Sequence, residues 1–312
     1  MTSRKRRAAE ARIGWAFVAP QAIGIVLFFG LPLGASLFLT FTKWDLVAPR
    51  PTWVGLKNWT YLLSDPRVPI VLGNTLRFIL YGTLGYLLLA LALALVLNRR
   101  RRGVTAYRAI YILPFVLSTA GVGTIWRWVL ADGTGPVSQL FDLVGMNAPL
   151  WLFSPAWAMV AIAVATTWQS LGFGMAIYLA GLQDIPAQLY EAARLDGANS
   201  WQRFKFVTFP HLSPVMLFLT VTSVVGALQL YDPVVAMTTD GFGLTAAAGG
   251  PQNSTRTMVL YIYNQMFQYN EAISGMGYAS TLAWFLVIIT VAFTAIQWLV
   301  FHARNIRRKA PR

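Results

Sequence analysis

The chain has 312 residues, 56% of them hydrophobic and 12% charged, with a net charge of +14 and no cysteine. A soluble domain carries about twice that charged fraction, so the composition is that of a membrane protein, and the lack of cysteine excludes a disulfide framework and thiolate metal sites. Two histidines, His211 and His302, are too few for a histidine-based metal or catalytic centre, and the positive charge lies at the ends of apolar runs, where it reports topology and not nucleic-acid binding.

A basic arm, residues 1–13, precedes an apolar run over 14–40 that carries Pro20 and Pro32. The run is longer than the apolar core of a cleaved signal peptide and long enough to span, so a retained first span is expected, kinked at Pro32. Residues 41–70 are polar and rich in tryptophan and proline. The second span, 71–97, ends at Asn98 and Arg99 to Arg102, a strong mark of the inner side. A third, 107–130, carries Pro114 as the expected bend, and the Gly-, Pro- and Asp-containing stretch 131–156 has no basic residue, which places it outside. The fourth span, 157–182, leads to a long polar interruption, 184–210, and the fifth runs over 212–237. A Gly/Thr/Pro segment then reads as a flexible external loop. Met258 to Phe267 is apolar but too short to cross, and is expected to lie at the surface. The sixth span, 277–301, leads to a basic tail, 303–312.

Six crossings put both termini on one side. The arm, the second-to-third connection, the polar interruption and the tail hold eighteen basic residues, against five (Lys43, Arg50, Lys57, Arg67 and Arg256) on the opposite side. The termini and the interruption are therefore expected to be cytoplasmic.

The interruption reads DIPAQLYEAARLDGANSWQRFKFVTFP. Asp184 can cap a helix that takes Pro186 in its first turn, and Gly197 can end it in a left-handed conformation. Asn199 or Ser200 can cap a second helix, stopped at Pro210. Leu189, Ala192, Ala193 and Asp196 share a face of the first helix, and the alanines would let another surface approach the backbone. Read on physics alone, the stretch is equally an amphipathic interfacial helix with Glu191 paired to Arg194.

This stretch resembles the cytoplasmic coupling motif of ABC importer permeases, the EAA loop, in its carbohydrate-class form. Glu191, Ala192, Ala193, Asp196, Gly197, Ala198, Phe204 and Pro210 match, while Val207 and Phe209 stand where the family more often has isoleucine and leucine. Further matches are Gly55 to Trp59, Asp65-Pro66 and Asn74-Thr75, then YRAIYILP, WQSLGFGMAIYLAGLQDIP, YDPVVAMT and STRTMVLYIYNQMF. Within the class the chain is most similar to the counterpart of the larger maltose permease subunit. The resemblance implies an all-α, six-helix type I importer permease, with residues 14–302 as the transmembrane domain, in a bacterial or archaeal cytoplasmic (inner) membrane. It also implies as partners two copies of an ATPase that receives the loop, a second permease, favoured to be a distinct homologue, and an external solute-binding protein.

The remaining chemistry is read by exclusion. Five lysines, none after a GxxxxG pattern, exclude a phosphate-binding loop, so the chain is not its own motor. No GxSxG, HExxH or paired-acid pattern occurs, and no catalytic residue, cofactor or metal is expected. The rival reading is an ion-gradient-driven secondary transporter of a polar solute, but the ionisable span residues Arg77, Arg127 and Asp232 sit toward the external ends, leaving no central acid. For an uncharged hydrophilic solute the path candidates are Gln169, Thr220, Thr222, Ser223, Gln229, Tyr231 and Asp232, with Thr222, Gly226 and Gln229 at i, i+4 and i+7 of one face. Interhelical hydrogen bonds are the alternative use for each of them.

Overall fold

The computed structural model describes residues 3–45, 48–98, 103–239, 249–267 and 275–309. Helix α1 (Ser3–Ile25) passes through a π-turn at Val26–Gly30 into α2 (Leu31–Leu39). An antiparallel ribbon pairs β1 (Thr42–Lys43) with β2 (Thr52–Trp53), and α3 (Lys57–Ser64) follows. Helix α4 (Arg67–Phe78) continues through a π-turn at Ile79–Thr83 into α5 (Leu84–Leu97). Then come α6 (Val104–Val116), α7 (Thr119–Val129), α8 (Pro136–Leu143), α9 (Ala158–Gln183), α10 (Ala187–Leu195) and α11 (Ser200–Arg203). A third π-turn, Phe204–Thr208, joins α11 to α12 (Phe209–Leu228), and α13 (Asp232–Thr238), α14 (Met258–Phe267) and α15 (Met276–Lys309) complete the order. The architecture is all-α, as expected. Among the described residues five helices are long and apolar enough to cross a membrane: Arg12–Leu39, Arg67–Leu97, Ala158–Gln183, Ser200–Leu228 and Met276–Phe301. The pair α6–α7, bent by 100° at Leu117-Ser118, supplies the sixth if it is taken as one broken span.

Several boundaries differ from the sequence reading, for identifiable reasons. Pro210 does not stop a helix: residues 200–228 form one continuous rod. A proline ring crowds the carbonyl four residues back, here that of Phe206, and the π-turn widens the helix at that place. The first span uses the same device, with its π-turn lying around Phe28, four residues before Pro32. The third span breaks one turn after Pro114, where Leu117 and Ser118 take extended ψ values of 150° and 131°. The fifth span ends at Leu228 and not at 237, because Gln229 to Tyr231 leave the helix before α13 begins at Asp232. Helix α14 keeps its expected ends, but Met258, Leu260 and Tyr261 are fully buried, so it packs against protein. The arginine run Arg99 to Arg102, and most of the loop expected after Thr239, lie outside the described residues.

Two compact units make up the chain: Met1–Asp65 with Gln265–Phe285, and Pro66–Asn264 with Leu286–Arg312. In the first, no residue of the Arg12–Leu39 span is buried, and Phe17 and Phe28 are 82% and 77% exposed, an apolar exterior suited to lipid. The segment that follows its first span is tied down by buried polar groups. The Asn58 amide donates to the Thr40 and Thr42 carbonyls at 2.9 and 2.8 Å, and the Tyr278 hydroxyl donates to Asp65 at 2.7 Å. Each buried group is thereby satisfied, which burial requires.

The second unit is built around α9, which packs against α5, α6 and α12. One apolar cluster gathers Phe78, Met159, Ile162, Val234 and Leu260; another gathers Tyr86, Ala90, Met175, Tyr178, Leu212 and Leu219. A Cβ at Gly172 would stand 2.0 Å from the Tyr111 carbonyl oxygen, so glycine is what lets α9 touch the α6 backbone. Asn74 donates to the carbonyls of Asn253 and Arg256 at 2.7 and 3.1 Å, fixing α4 to the approach to α14.

Candidate functional site

The segment from Asp184 to Pro210 is a helix, a tight turn, and the start of a long helix. The first helix begins at Ala187 with Pro186 in the cap position and no side-chain cap; Asp184 instead closes α9, its N–H bonding to the Ala180 carbonyl at 3.1 Å, so the expected Asp184 cap is not formed. The other end is as the residues require. Gly197 has φ +78°, its N–H reaches the Arg194 carbonyl at 3.0 Å, and the Ala198 N–H reaches that of Ala193 at 2.9 Å, the paired bonds of a left-handed helix stop. Asn199 then caps α11 in a reciprocal box with Gln202, at 2.9 and 2.8 Å.

Exposure sorts the matched residues. Glu191, Ala192, Asp196 and Gly197 are exposed, as is Leu195 at 90%. Ala193, Ala198, Phe204 and Pro210 are half-buried. The expected face of Leu189, Ala192, Ala193 and Asp196 is therefore narrower: Ala193 turns toward the protein, alongside Tyr190. The Tyr190 ring packs against the apolar cluster that contains Leu182, Ile185 and Leu212, and its hydroxyl shares a hydrogen bond of 2.9 Å with Thr208.

A cavity of about 590 Å3 lies among α4, α5, α9 and α12 and both helix breaks. Of the seven path candidates, Gln169, Thr222, Ser223, Gln229, Tyr231 and Asp232 line it, and Thr220 is not among the lining residues. Gln169 comes from the middle of α9. Thr222 and Gly226 present the exposed stripe of α12, with Gln229 just beyond the helix end. The breaks explain why polar groups collect there, since each frees carbonyls that need donors. Gln169 donates to the Leu117 carbonyl at 3.0 Å, and Thr257 donates to that of Leu230 at 2.7 Å. Gln169 thus makes the interhelical bond that was its alternative use while also bordering the cavity.

Hydroxyls of Thr83, Thr119, Thr166, Thr167, Ser170 and Ser223 complete the polar lining, with rings from Phe78, Tyr86, Phe115 and Phe173. Phe115 and Phe173 stack at 4.9 Å. Asp232 is the only carboxylate among the lining residues, and none of them is Lys, Arg or His. The sequence reading missed these hydroxyls apart from Ser223, although Thr166, Gln169, Ser170 and Phe173 recur at helical spacing around one chosen residue. Thr119 carried no such signal, because the break that exposes it was placed one turn early. Of the other ionisable span residues, Arg77 is exposed and Arg127 half-buried.

A family model described as "Binding-protein-dependent transport system inner membrane component" matches residues 86–307. The chain is similar to the lactose transport system permease protein LacF of Rhizobium radiobacter, with 36% identity over 94% of this chain and 95% of that protein. It is also similar to the multiple sugar-binding transport system permease protein MsmF of Streptococcus mutans, with 30% identity over 91% of this chain and 93% of that one. Among solved structures, a bacterial ABC transporter involved in the import of the acidic polysaccharide alginate aligns over 98% of this chain and 99% of its own, with a TM-score of 0.76 and 20% identity, a likeness of fold.

Proposed function

The chain belongs to the family of inner membrane components of binding-protein-dependent transport systems, and from that membership we propose that it imports a neutral sugar or sugar-like solute. It does so as half of a pore, joined to a second, homologous permease, two ATPase subunits and an external solute-binding protein. The transmembrane body of residues 14–302 sits in the cytoplasmic membrane. The arm, the tail and the 184–210 loop face the cytoplasm, which the basic-residue bias supports.

One observation carries this reading: the helical rod Ser200–Leu228 leaves the exposed EAA segment at one end and presents Thr222 and Gly226 to the cavity at the other. An ATPase holding Glu191, Ala192, Asp196 and Gly197 would thus act on a lever that reaches the solute path. When ATP closes the ATPase dimer, the loop moves, α12 moves with it, and the cavity turns from the inner to the outer side. Hydrolysis resets the cycle. Hydroxyl, amide and aromatic groups suit a polyhydroxylated, uncharged solute. The relatives named for lactose and for multiple sugars support the same class.

The test is affinity purification of the tagged chain from its host in mild detergent. Recovery of an ATPase and a second permease is expected. A chain that comes out alone, and moves solute down a proton or sodium gradient, would refute the reading.

A further inference from the structure

We propose that Tyr190 is a positioning residue, whose hydroxyl ties the ATPase-contacting helix α10 to the pore-lining rod through Thr208; this rests on the coupling reading above. Helix α10 is joined to α9 and α11 by short turns and is exposed over most of its surface. Among the described residues, the Tyr190–Thr208 bond of 2.9 Å is the side-chain hydrogen bond that links α10 to the helix 200–228. Its two ends differ in kind. Tyr190 stands beside Glu191 on the contact helix, while Thr208 is 5% exposed and closes the π-turn that lets the rod pass Pro210.

That turn is where the rod is most easily bent, because its backbone bonds leave the α-helical register. A tether to α10 at this point fixes how the rod departs from the contact helix. The Tyr190 ring and Val207 pack on the Leu182–Leu212 cluster beside it, so the bond is shielded on one side by apolar groups. From Thr208 to Thr222 the rod is about 21 Å long, and a small change of direction at the tether displaces the cavity wall. Tyr190 is not among the residues that line the cavity; it acts by holding the lever in register.

The experiment measures solute moved per ATP hydrolysed, in proteoliposomes holding the complete co-purified assembly. Y190F keeps the ring and its packing, and T208V keeps the volume; each should lower the ratio by roughly two- to tenfold, the span expected for one neutral hydrogen bond. The double variant should lose no more than either single one, and T208S, which keeps the hydroxyl, should restore the ratio. A wild-type ratio in Y190F, or additive losses in the double variant, would overturn the tether while leaving the coupling reading standing. Absence of ATP-driven uptake by the wild-type assembly would overturn both.

Discussion

At the scale of single residues, two glycines separate folding from transport. Gly172 has the Tyr111 carbonyl against its missing Cβ, whereas Gly226 has nothing within 4 Å of that position and borders the cavity. Gly172→Ala should therefore force α6 and α9 apart at a cost of about 1–3 kcal/mol, read as a lower Tm of the purified protein. Gly226→Leu should leave Tm and assembly unchanged but fill the cavity, cutting uptake more than tenfold. Normal uptake in that variant would mean that the solute passes elsewhere. Asn58→Ala should also destabilise, by about 1–3 kcal/mol, because the Thr42 carbonyl loses its side-chain donor and the Thr40 carbonyl keeps only the Thr281 hydroxyl at 3.4 Å. Residue identities were legible in sequence where a backbone conformation demanded one type, as at Gly197 and Asn199. They were not legible at Tyr190 and Thr208, eighteen positions apart, which meet only because a left-handed turn folds one helix back upon the next.

At the scale of elements, one proline misled the sequence reading and another located a bend only to within a turn. Pro210 suggested a stop and Pro114 a bend, yet the helix runs through the first by means of a π-turn and breaks after the second at Leu117-Ser118. Proline removes one hydrogen bond locally, but where the chain yields depends on which neighbours can satisfy the freed groups. Gln169 and Thr257 supply those donors at the two breaks, and they are distant in sequence. The coupling segment was more legible, since its turn and cap are local. Gly197→Val would place a β-branched residue at φ +78°, at a cost of about 1–2 kcal/mol or more, and tilt α10 away from its neighbour. We expect ATP hydrolysis to persist in that variant while uptake falls at least tenfold. Glu191→Ala removes an exposed carboxylate without changing the fold, and should weaken co-purification of the ATPase. Undiminished recovery would leave Glu191 with no part in that contact.

At the scale of the whole molecule, the six apolar crossings were readable from composition and hydropathy, whereas the cavity that brings together Gln169, Thr222, Gln229, Tyr231 and Asp232 was not. It needs two broken helices, α6–α7 and α12–α13, brought to the same place beside α9, and pattern along a chain does not specify that meeting. We propose that the rod from residue 200 to residue 228 joins loop to cavity and carries force between them. The most direct test is uptake of a labelled neutral sugar by proteoliposomes containing the purified assembly, with ATP hydrolysis followed in parallel, for the wild type and for Gly197→Val. ATP-dependent uptake by the wild type, lost in the variant while hydrolysis continues, is the predicted result. Uptake that ignores ATP and follows an ion gradient, or a variant that transports as the wild type does, would contradict the account.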